Sequence, residues 1–169
     1  MKTLKTKIAI LFIILLTFSC GNDDEPNPAN PITTFDYFLK AKIDGVQYDA
    51  VPGQVLAANN TDRLTISSTI PDNRSFELII NRPTGIGTYT YPAPAATDYV
   101  IRMSYSDASS ATSIWRVNSC SAATGTITIS ALSATEISGT FSFTGKRTSF
   151  CTDAAKIITE GSFKSGLIQ

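Results

Sequence analysis

Residues that could carry catalytic chemistry are few in this chain of 169 residues, because it contains no histidine. Histidine is the commonest general base and metal ligand, so Ser-His-Asp and Cys-His catalysis are excluded and a zinc site would have only carboxylates. The remaining route is a pair of carboxylates that flank a substrate, as in glycoside hydrolases. The acidic residues on or beside predicted strands are Glu77, Asp98, Glu136 and Glu160. Strand alternation directs each of them outward or into a turn, so we predict no catalytic residues.

Two loops are rich in the oxygen ligands that calcium prefers. They are the segments 59–62 (Asn-Asn-Thr-Asp) and 71–73 (Pro-Asp-Asn). Neither has the spacing of a calcium-binding loop, and asparagine and aspartate also favour turns because they bond to their own backbone. We therefore predict turns at both segments, and neither a metal nor a cofactor.

Aromatic residues surround a loop at residues 92–98 that is rich in proline and alanine. Tyr89, Tyr91 and Trp115 lie on either side of this loop, and Asp98 lies within it. Two interpretations stay open. The rings pack in the core or at its rim, since aromatic residues favour strands for packing alone. Alternatively, they form an exposed ligand platform on which a sugar stacks, with Asp98 as a hydrogen-bonding neighbour.

The N-terminal residues have the charge order of a secretory signal peptide. Three lysines precede an apolar run over residues 8–18 that only Thr17 interrupts. As a helix, a run of about 11 residues spans roughly 16 Å, about half of a hydrocarbon core, so it is too short to cross a membrane. The sequence predicts a removable signal peptide over residues 1–19.

Cys20 follows this segment in the motif Leu16-Thr17-Phe18-Ser19-Cys20, which resembles a lipobox. In a lipobox the cysteine is diacylated before cleavage and becomes the first residue of the mature protein. The resemblance implies that a lipid on Cys20 anchors the chain to a membrane. The alternative is an ordinary secreted protein in which Cys20 is incidental.

Residues 20–34 have the composition of a flexible tether, with three prolines, an acidic cluster and no apolar periodicity. The reach of such a tether lies between about 20 Å as a coil and about 40 Å when extended. The acidic cluster directly behind Cys20 resembles the export signal of Bacteroidota lipoproteins. That resemblance implies the outer membrane, with the domain exposed at the surface rather than facing the periplasm.

Cys120 and Cys151 are the other two cysteines. In an oxidising compartment, an even pair of cysteines in a small secreted domain predicts a disulfide. Two free buried thiols are the alternative.

The chain between these cysteines alternates apolar and polar residues over 124–131 and 137–144, which predicts a hairpin. An inward face shared by both strands requires an odd loop length, and residues 132–136 fit best. Ala131 then pairs with Ile137, and Ile127 pairs with Phe141. The two cysteines meet at the open end of the hairpin.

The remaining strands follow the same pattern of short alternating segments separated by turn residues. Asp44-Gly45 predicts a tight hairpin, because both residues accept positive φ. The predicted strands comprise residues 35–43, 46–48, 64–70, 76–80, 88–91, 99–105, 114–117, 124–131, 137–144 and 156–163. About ten short strands without a helix predict an all-β fold over residues 35–169, an antiparallel β-sandwich or alternatively a β-barrel.

Charge argues against a nucleic-acid partner. The 14 basic and 14 acidic residues balance in the whole chain. Removing the three lysines of the signal peptide leaves 14 − 3 = 11 basic residues and a net charge of −3. Since the chain has no basic run, the electrostatic basis for phosphate binding is lacking.

The segments 41–48, 127–129, 137–143 and 158–163 together resemble small uncharacterised Bacteroidota lipoproteins. This resemblance implies an antiparallel β domain and supplies no activity. The first functional hypothesis is a non-catalytic binding or accessory module at the cell envelope, for a glycan or a protein partner. The alternative is a structural or assembly lipoprotein of an outer-membrane complex, and the third hypothesis is a carboxylate-only glycan hydrolase.

Overall fold

A computed structural model describes residues 36–107, 113–117, 120, 122–147 and 151–168. The predicted signal peptide, Cys20 and the tether lie outside these residues. The described part is all-β, and none of its residues forms a helix long and apolar enough to cross a membrane. Its strands are β1 (Phe38–Ile43), β2 (Val46–Asp49), β3 (Val55–Asn60), β4 (Arg63–Ile70), β5 (Arg74–Asn81), β6 (Gly87–Tyr91), β7 (Val100–Ser106), β8 (Ile114–Arg116), β9 (Thr124–Leu132), β10 (Glu136–Arg147) and β11 (Lys156–Ile168).

All eleven strands belong to one mixed sheet, in the order β2-β1-β11-β3-β4-β5-β7-β8-β10-β9-β6. β10 also pairs with β11, so the strands from β11 through β3 to β10 form a closed ring. β2, β1, β11, β10, β9 and β6 make one layer, and β3, β4, β5, β7 and β8 make the other. The layers face each other across the core, where the ring centroids of Phe76 and Phe141 lie 5.6 Å apart. The all-β prediction is confirmed.

One ladder departs from the antiparallel prediction. β3 runs parallel to the end of β11, with Ala57 opposite Leu167 and Ala58 opposite Ile168. β3 is also the strand absent from the sequence prediction, because its residues include two alanines and two asparagines, which strands disfavour. The parallel pairing needs β11 to continue beyond its predicted end at Phe163.

The Asp44-Gly45 hairpin forms as predicted. Ile43 pairs with Val46, and the two turn residues have φ values of 50° and 87°. Two successive positive φ values match the right-handed twist of the strands they join, which is why this dipeptide is favoured there. The sequence is sufficient to define this turn.

The β9–β10 hairpin confirms one predicted pair and corrects the other. Ile127 faces Phe141 as predicted, but Ile137 pairs with Leu132 instead of Ala131, so the loop is residues 133–135. A bulge opposite Ser138 and Gly139 absorbs the one-residue difference in register. The extra residue shifts the inward face at the end of β9 by one position, so Ala131 is exposed and Leu132 packs against the core. Regular alternation extended through Ala131 could not reveal this shift.

A side chain explains the shorter loop. The hydroxyl of Ser133 accepts hydrogen bonds from the backbone N–H groups of Thr135 at 3.2 Å and Glu136 at 3.0 Å. This local bonding stabilises a tight turn in place of the predicted longer loop.

Cys120 and Cys151 form the predicted disulfide at the open end of this hairpin, with Cα atoms 5.3 Å apart. The bond ties together the segments that precede β9 and follow β10. We call this end of the domain the disulfide end. The Asp44-Gly45 turn also lies there, since Asp44 pairs with Lys156 at 2.6 Å at the start of β11.

The alternation within the predicted strands 64–70 and 76–80 agrees with the inward faces of β4 and β5. Their buried residues are Leu64, Ile66, Ser68, Ile70, Phe76, Leu78, Ile79 and Ile80, of which only Ile79 departs from the alternation. The opposite layer contributes Ile127, Phe141 and Phe163, among others. Gly139 leaves room in this layer, because a Cβ there would collide with the carbonyl oxygen of Thr128 and the ring of Phe163.

Candidate functional site

The four residues of the predicted platform do not form a shared exposed surface. Tyr89 is 1% exposed and Trp115 is 8% exposed, so both belong to the core. Tyr91 is half-buried against the core, and Asp98 is exposed. The core interpretation therefore holds for Tyr89 and Trp115, and no ligand can stack on them. Tyr89 and Tyr91 alternate onto the same face of β6, and that face packs against the core.

Trp115 is covered by its neighbours at the disulfide end. Its ring stacks on that of Tyr105, with centroids 5.7 Å apart. The guanidinium carbon of Arg147 and the ammonium of Lys156 lie 5.0 and 5.5 Å from the Trp115 centroid. Cation–π contacts of this kind stabilise packing. Burial raises the pKa of Tyr105 to about 12.

The proline-rich loop runs beside the edge strand β6. The ring of Tyr99, at the end of this loop, packs edge-on against Tyr89 with centroids 5.0 Å apart. Its hydroxyl accepts a hydrogen bond of 3.2 Å from the backbone N–H of Thr90. The hydrogen bonds from the Thr90 side chain and backbone lower the pKa of Tyr99. The loop therefore covers an edge strand that would otherwise expose unpaired backbone groups.

The candidate catalytic carboxylates are not brought together. Glu77 lies on the outer face of one layer, whereas Glu136 and Glu160 belong to strands of the other layer. Glu136 pairs with a lysine at 3.2 Å and Glu160 with another at 2.7 Å. Asp98 is exposed in its loop. No group of three or more acidic or cysteine residues in the described part could hold a metal ion.

A cleft of about 590 Å³ opens at the end of the domain away from the disulfide. We call it the end cleft. Its lining comes from the end of β3, the β3–β4 turn, the start of β4, the β5–β6 loop and the last residue of β9. It comprises Asn59, Asn60, Thr61, Leu64, Pro83, Gly85 and Leu132. The cleft therefore lies where both layers end, with polar groups at its mouth and leucines beneath them. None of these side chains is charged.

The amides of the end cleft are not held by the described part of the protein. Asn59 follows Val55 and Ala57 on the inward side of β3 and is half-buried. Neither its side-chain amide nor that of Asn60 makes a hydrogen bond to any residue that the structure describes. An amide offers two N–H donors and a carbonyl acceptor, so these groups are available to an external ligand.

Tyr89 acts on this cleft from the core by holding the β5–β6 loop. Its hydroxyl donates to the carbonyl of Gly85 at 2.6 Å and accepts from the backbone N–H of Thr84 at 3.0 Å. The backbone N–H of Arg82 donates to the carbonyl of Asp62 at 2.8 Å, which joins this loop to the β3–β4 turn. Two walls of the end cleft are thus fixed by hydrogen bonds.

The sequence analysis identifies the segment 59–62 of one wall but not the cleft. The predicted turn over 59–62 is confirmed only for residues 61 and 62, since Asn59 and Asn60 are the last residues of β3. What the sequence could not show is that this turn meets the β5–β6 loop and Leu132. That knowledge requires β3 and its pairing, and the strand pattern of β3 is too weak to recognise.

A second, apolar depression lies at the corner where β3 meets β11. It has a volume of about 640 Å³ and includes Tyr37, Val55, Leu56, Leu167 and Ile168 among its lining residues. We call it the corner groove. Leu56 is 56% exposed and Ile168 is 62% exposed. Leu56 and Ile168 therefore leave apolar surface open to solvent at this groove.

The profile of a domain of unknown function, DUF6252, matches residues 36–167. The chain therefore belongs to this family, whose domain coincides with the strands described above. Neither the curated proteins nor the solved structures contain a match.

Proposed function

We propose that the protein is a non-catalytic binding module held at the cell envelope by a lipid on Cys20, and that the end cleft takes its ligand. The observation that carries the proposal is the half-buried amide of Asn59, which faces the cleft without a hydrogen bond to the described residues. The amide remains accessible to water, since the described side-chain atoms that are buried without a partner are Ser68 Oγ, Arg74 Nε and Arg147 Nε. A ligand that replaces this water with its own hydrogen bonds accounts for an amide at a position that the strand pattern assigns to an apolar residue.

The lining of the end cleft supports binding without catalysis. It contains amides, one hydroxyl and apolar side chains, but no carboxylate, thiol or ammonium group that could act as an acid, a base or an activated nucleophile. The chain has no histidine to activate the hydroxyl of Thr61. We therefore expect the protein to bind and release its ligand without changing it chemically.

The sequence features at the N-terminus support the envelope location. A signal peptide, the lipobox-like motif at Cys20 and the acidic tether over residues 20–34 together favour a lipid anchor in the outer membrane, with the domain at the cell surface. The end cleft then lies within a few tens of ångströms of the membrane, on a tether that allows it to search for ligand.

The anchor and the cleft are tested separately in cells that produce the full chain. Cys20→Ser should move the protein from the membrane to the soluble fraction and change its electrophoretic mobility. An unchanged distribution and mobility would contradict the lipid anchor. Protease treatment of intact cells then distinguishes the two faces of the membrane, since only a surface-exposed domain is digested.

Ligand capture uses a photo-crosslinking amino acid placed at position 61 in the end cleft. The matched control has the same amino acid at position 140, an exposed threonine on the outer face of β10. We expect an adduct at position 61 and none at position 140. Absence of an adduct at both positions, or equal adducts at both, would refute the end cleft as a binding site.

The corner groove favours a second candidate, a structural lipoprotein of an outer-membrane complex. Its exposed Leu56 and Ile168 offer an apolar contact that a glycan would not need. A photo-crosslinking amino acid at position 56 tests this alternative. Capture of one membrane protein at position 56, together with no adduct at position 61, would favour the assembly function over the binding module.

A further inference from the structure

The end cleft also indicates the chemical class of its ligand. We infer that it binds a neutral glycan, whose hydroxyl groups bond to the amides of Asn59 and Asn60. This inference rests on the proposed function, because it assigns a ligand to the same cleft. It is carried by the charge, the hydrogen-bonding groups and the apolar floor of the site.

Charge favours an uncharged ligand. No side chain that lines the end cleft carries a charge. An ionised ligand would lose water on entering the cleft without meeting a countercharge, and that desolvation disfavours binding. Arg63 and Arg82 are exposed beside the cleft but do not line it, so they make acidic glycans a necessary comparison.

The hydrogen-bonding groups favour a ligand rich in hydroxyls. Each amide presents donors and an acceptor side by side, and each sugar hydroxyl can both donate and accept. Two neighbouring hydroxyls of one ring can therefore satisfy both sides of one amide. Thr61 adds a third side chain with the same dual capacity.

The apolar part of the cleft suits the C–H face of a sugar ring. Leu64 is buried at the base, while Leu132 and Pro83 are half-buried beside it. Apolar surface combined with a few placed polar groups is the usual composition of a small-molecule site. Since no aromatic ring lines this cleft, we expect weak binding to a single sugar unit.

The test uses the protein from Cys20 onward with its disulfide intact. It is applied to an array of neutral gluco-, manno-, galacto- and xylo-oligosaccharides, with sulfated and uronic-acid oligosaccharides and a peptide library beside them. The tightest neutral oligosaccharide is then titrated against Asn59→Leu and Asn60→Ala. The matched control is Gln54→Ala, which removes an exposed amide before β3, away from the end cleft.

We expect Asn59→Leu and Asn60→Ala each to weaken binding of that oligosaccharide at least about tenfold, and Gln54→Ala to leave it unchanged. Asn59→Leu fills the same inward position with an apolar side chain, so its urea unfolding midpoint should stay equal or rise. Loss of binding with retained stability would show that the amide serves the ligand and not the fold.

Three outcomes would overturn the inference. They are binding of peptides alone, binding of acidic oligosaccharides alone with sensitivity to Arg82→Ala, and neutral binding that survives both asparagine substitutions. A photo-adduct at position 61 alongside any of these results would leave the binding module standing without the glycan. Absence of an adduct at position 61, together with no binding to any oligosaccharide or peptide of the array, would contradict both the binding module and the glycan ligand.

Discussion

The hydroxyl of Tyr89 offers the sharpest test of how the core holds the end cleft. Tyr89→Phe keeps the buried ring, which is 1% exposed, and removes only the oxygen. That oxygen makes three hydrogen bonds to the β5–β6 loop: it donates to the carbonyl of Gly85 at 2.6 Å, accepts from the N–H of Thr84 at 3.0 Å, and bonds to the hydroxyl of Thr84 at 3.3 Å. The substitution therefore separates the packing of the ring from its hold on the loop.

The expected loss follows from the two shorter bonds, which hold the backbone of the loop, because water can replace the longer bond to the Thr84 hydroxyl. A hydrogen bond contributes about 1 kcal/mol net, so these two contribute about 2 kcal/mol. Thr84 is exposed and Gly85 is half-exposed, so water can replace part of what the hydroxyl supplied. We therefore expect the free energy of unfolding to fall by about 1.5 kcal/mol.

Urea unfolding measures this loss, with the slope unchanged because the exposed surface on unfolding is unchanged. Tyr91→Phe is the matched control, in the same strand, because its hydroxyl makes no hydrogen bond to a described residue. Hydrogen exchange at the Thr84 amide should also speed up in Tyr89→Phe, since its acceptor is gone. Equal losses in the two variants, with unchanged exchange at Thr84, would refute the loop-holding role.

Three further predictions concern the disulfide end. The double substitution Cys120→Ser with Cys151→Ser should lower the unfolding free energy by about 4 kcal/mol for a closed loop of about 30 residues, and a urea titration showing a loss below about 1 kcal/mol would contradict the chain-entropy account. Burial raises the pKa of Tyr105 to about 12, so the contribution of the neutral phenol to the unfolding free energy is full below the ordinary pKa of 10.0 and is lost as the pH rises toward 12. In thermal melts, Tyr105→Phe should therefore reduce the fall in melting temperature between pH 10 and pH 12. Burial alone would raise the pKa of Asp44, but a backbone N–H and Lys156 outweigh it and lower that pKa, so this stabilisation is present at neutral pH and is lost as the pH falls through the lowered value. Asp44→Asn should reduce the dependence of the melting temperature on pH below about 4, and identical acid profiles would oppose it.

Local sequence signals were sufficient wherever neighbouring residues determine the structure. The Asp44-Gly45 turn follows from φ alone, and the inward residues of β4 and β5 follow from alternation. The disulfide followed from the number of cysteines and the predicted hairpin between them. Each of these features depends on residues close in sequence or on a chemical rule that permits one partner.

Long-range features were not accessible in the same way. The alternation in β6 shows that Tyr89 and Tyr91 share a face but cannot show whether that face is the inner one. Exposure of Trp115 depends on Tyr105, Arg147 and Lys156, which come from three other strands or their ends. The end cleft depends in addition on β3, whose composition conceals it. A ligand site formed where separate turns meet therefore requires the tertiary structure.

The closed ring of strands has a consequence for how the chain folds. β1, at the start of the domain, finds its partner in β11 at the end, and β3 depends on the last residues of that same strand. Contacts between distant parts of a sequence slow folding, because much chain must be ordered before they form. The hairpin of β1 and β2 lacks its β11 neighbour until the end of the domain has been synthesised. We therefore expect the complete sheet to form only after β11 is available, so that the chain remains unfolded, or partly folded, until then.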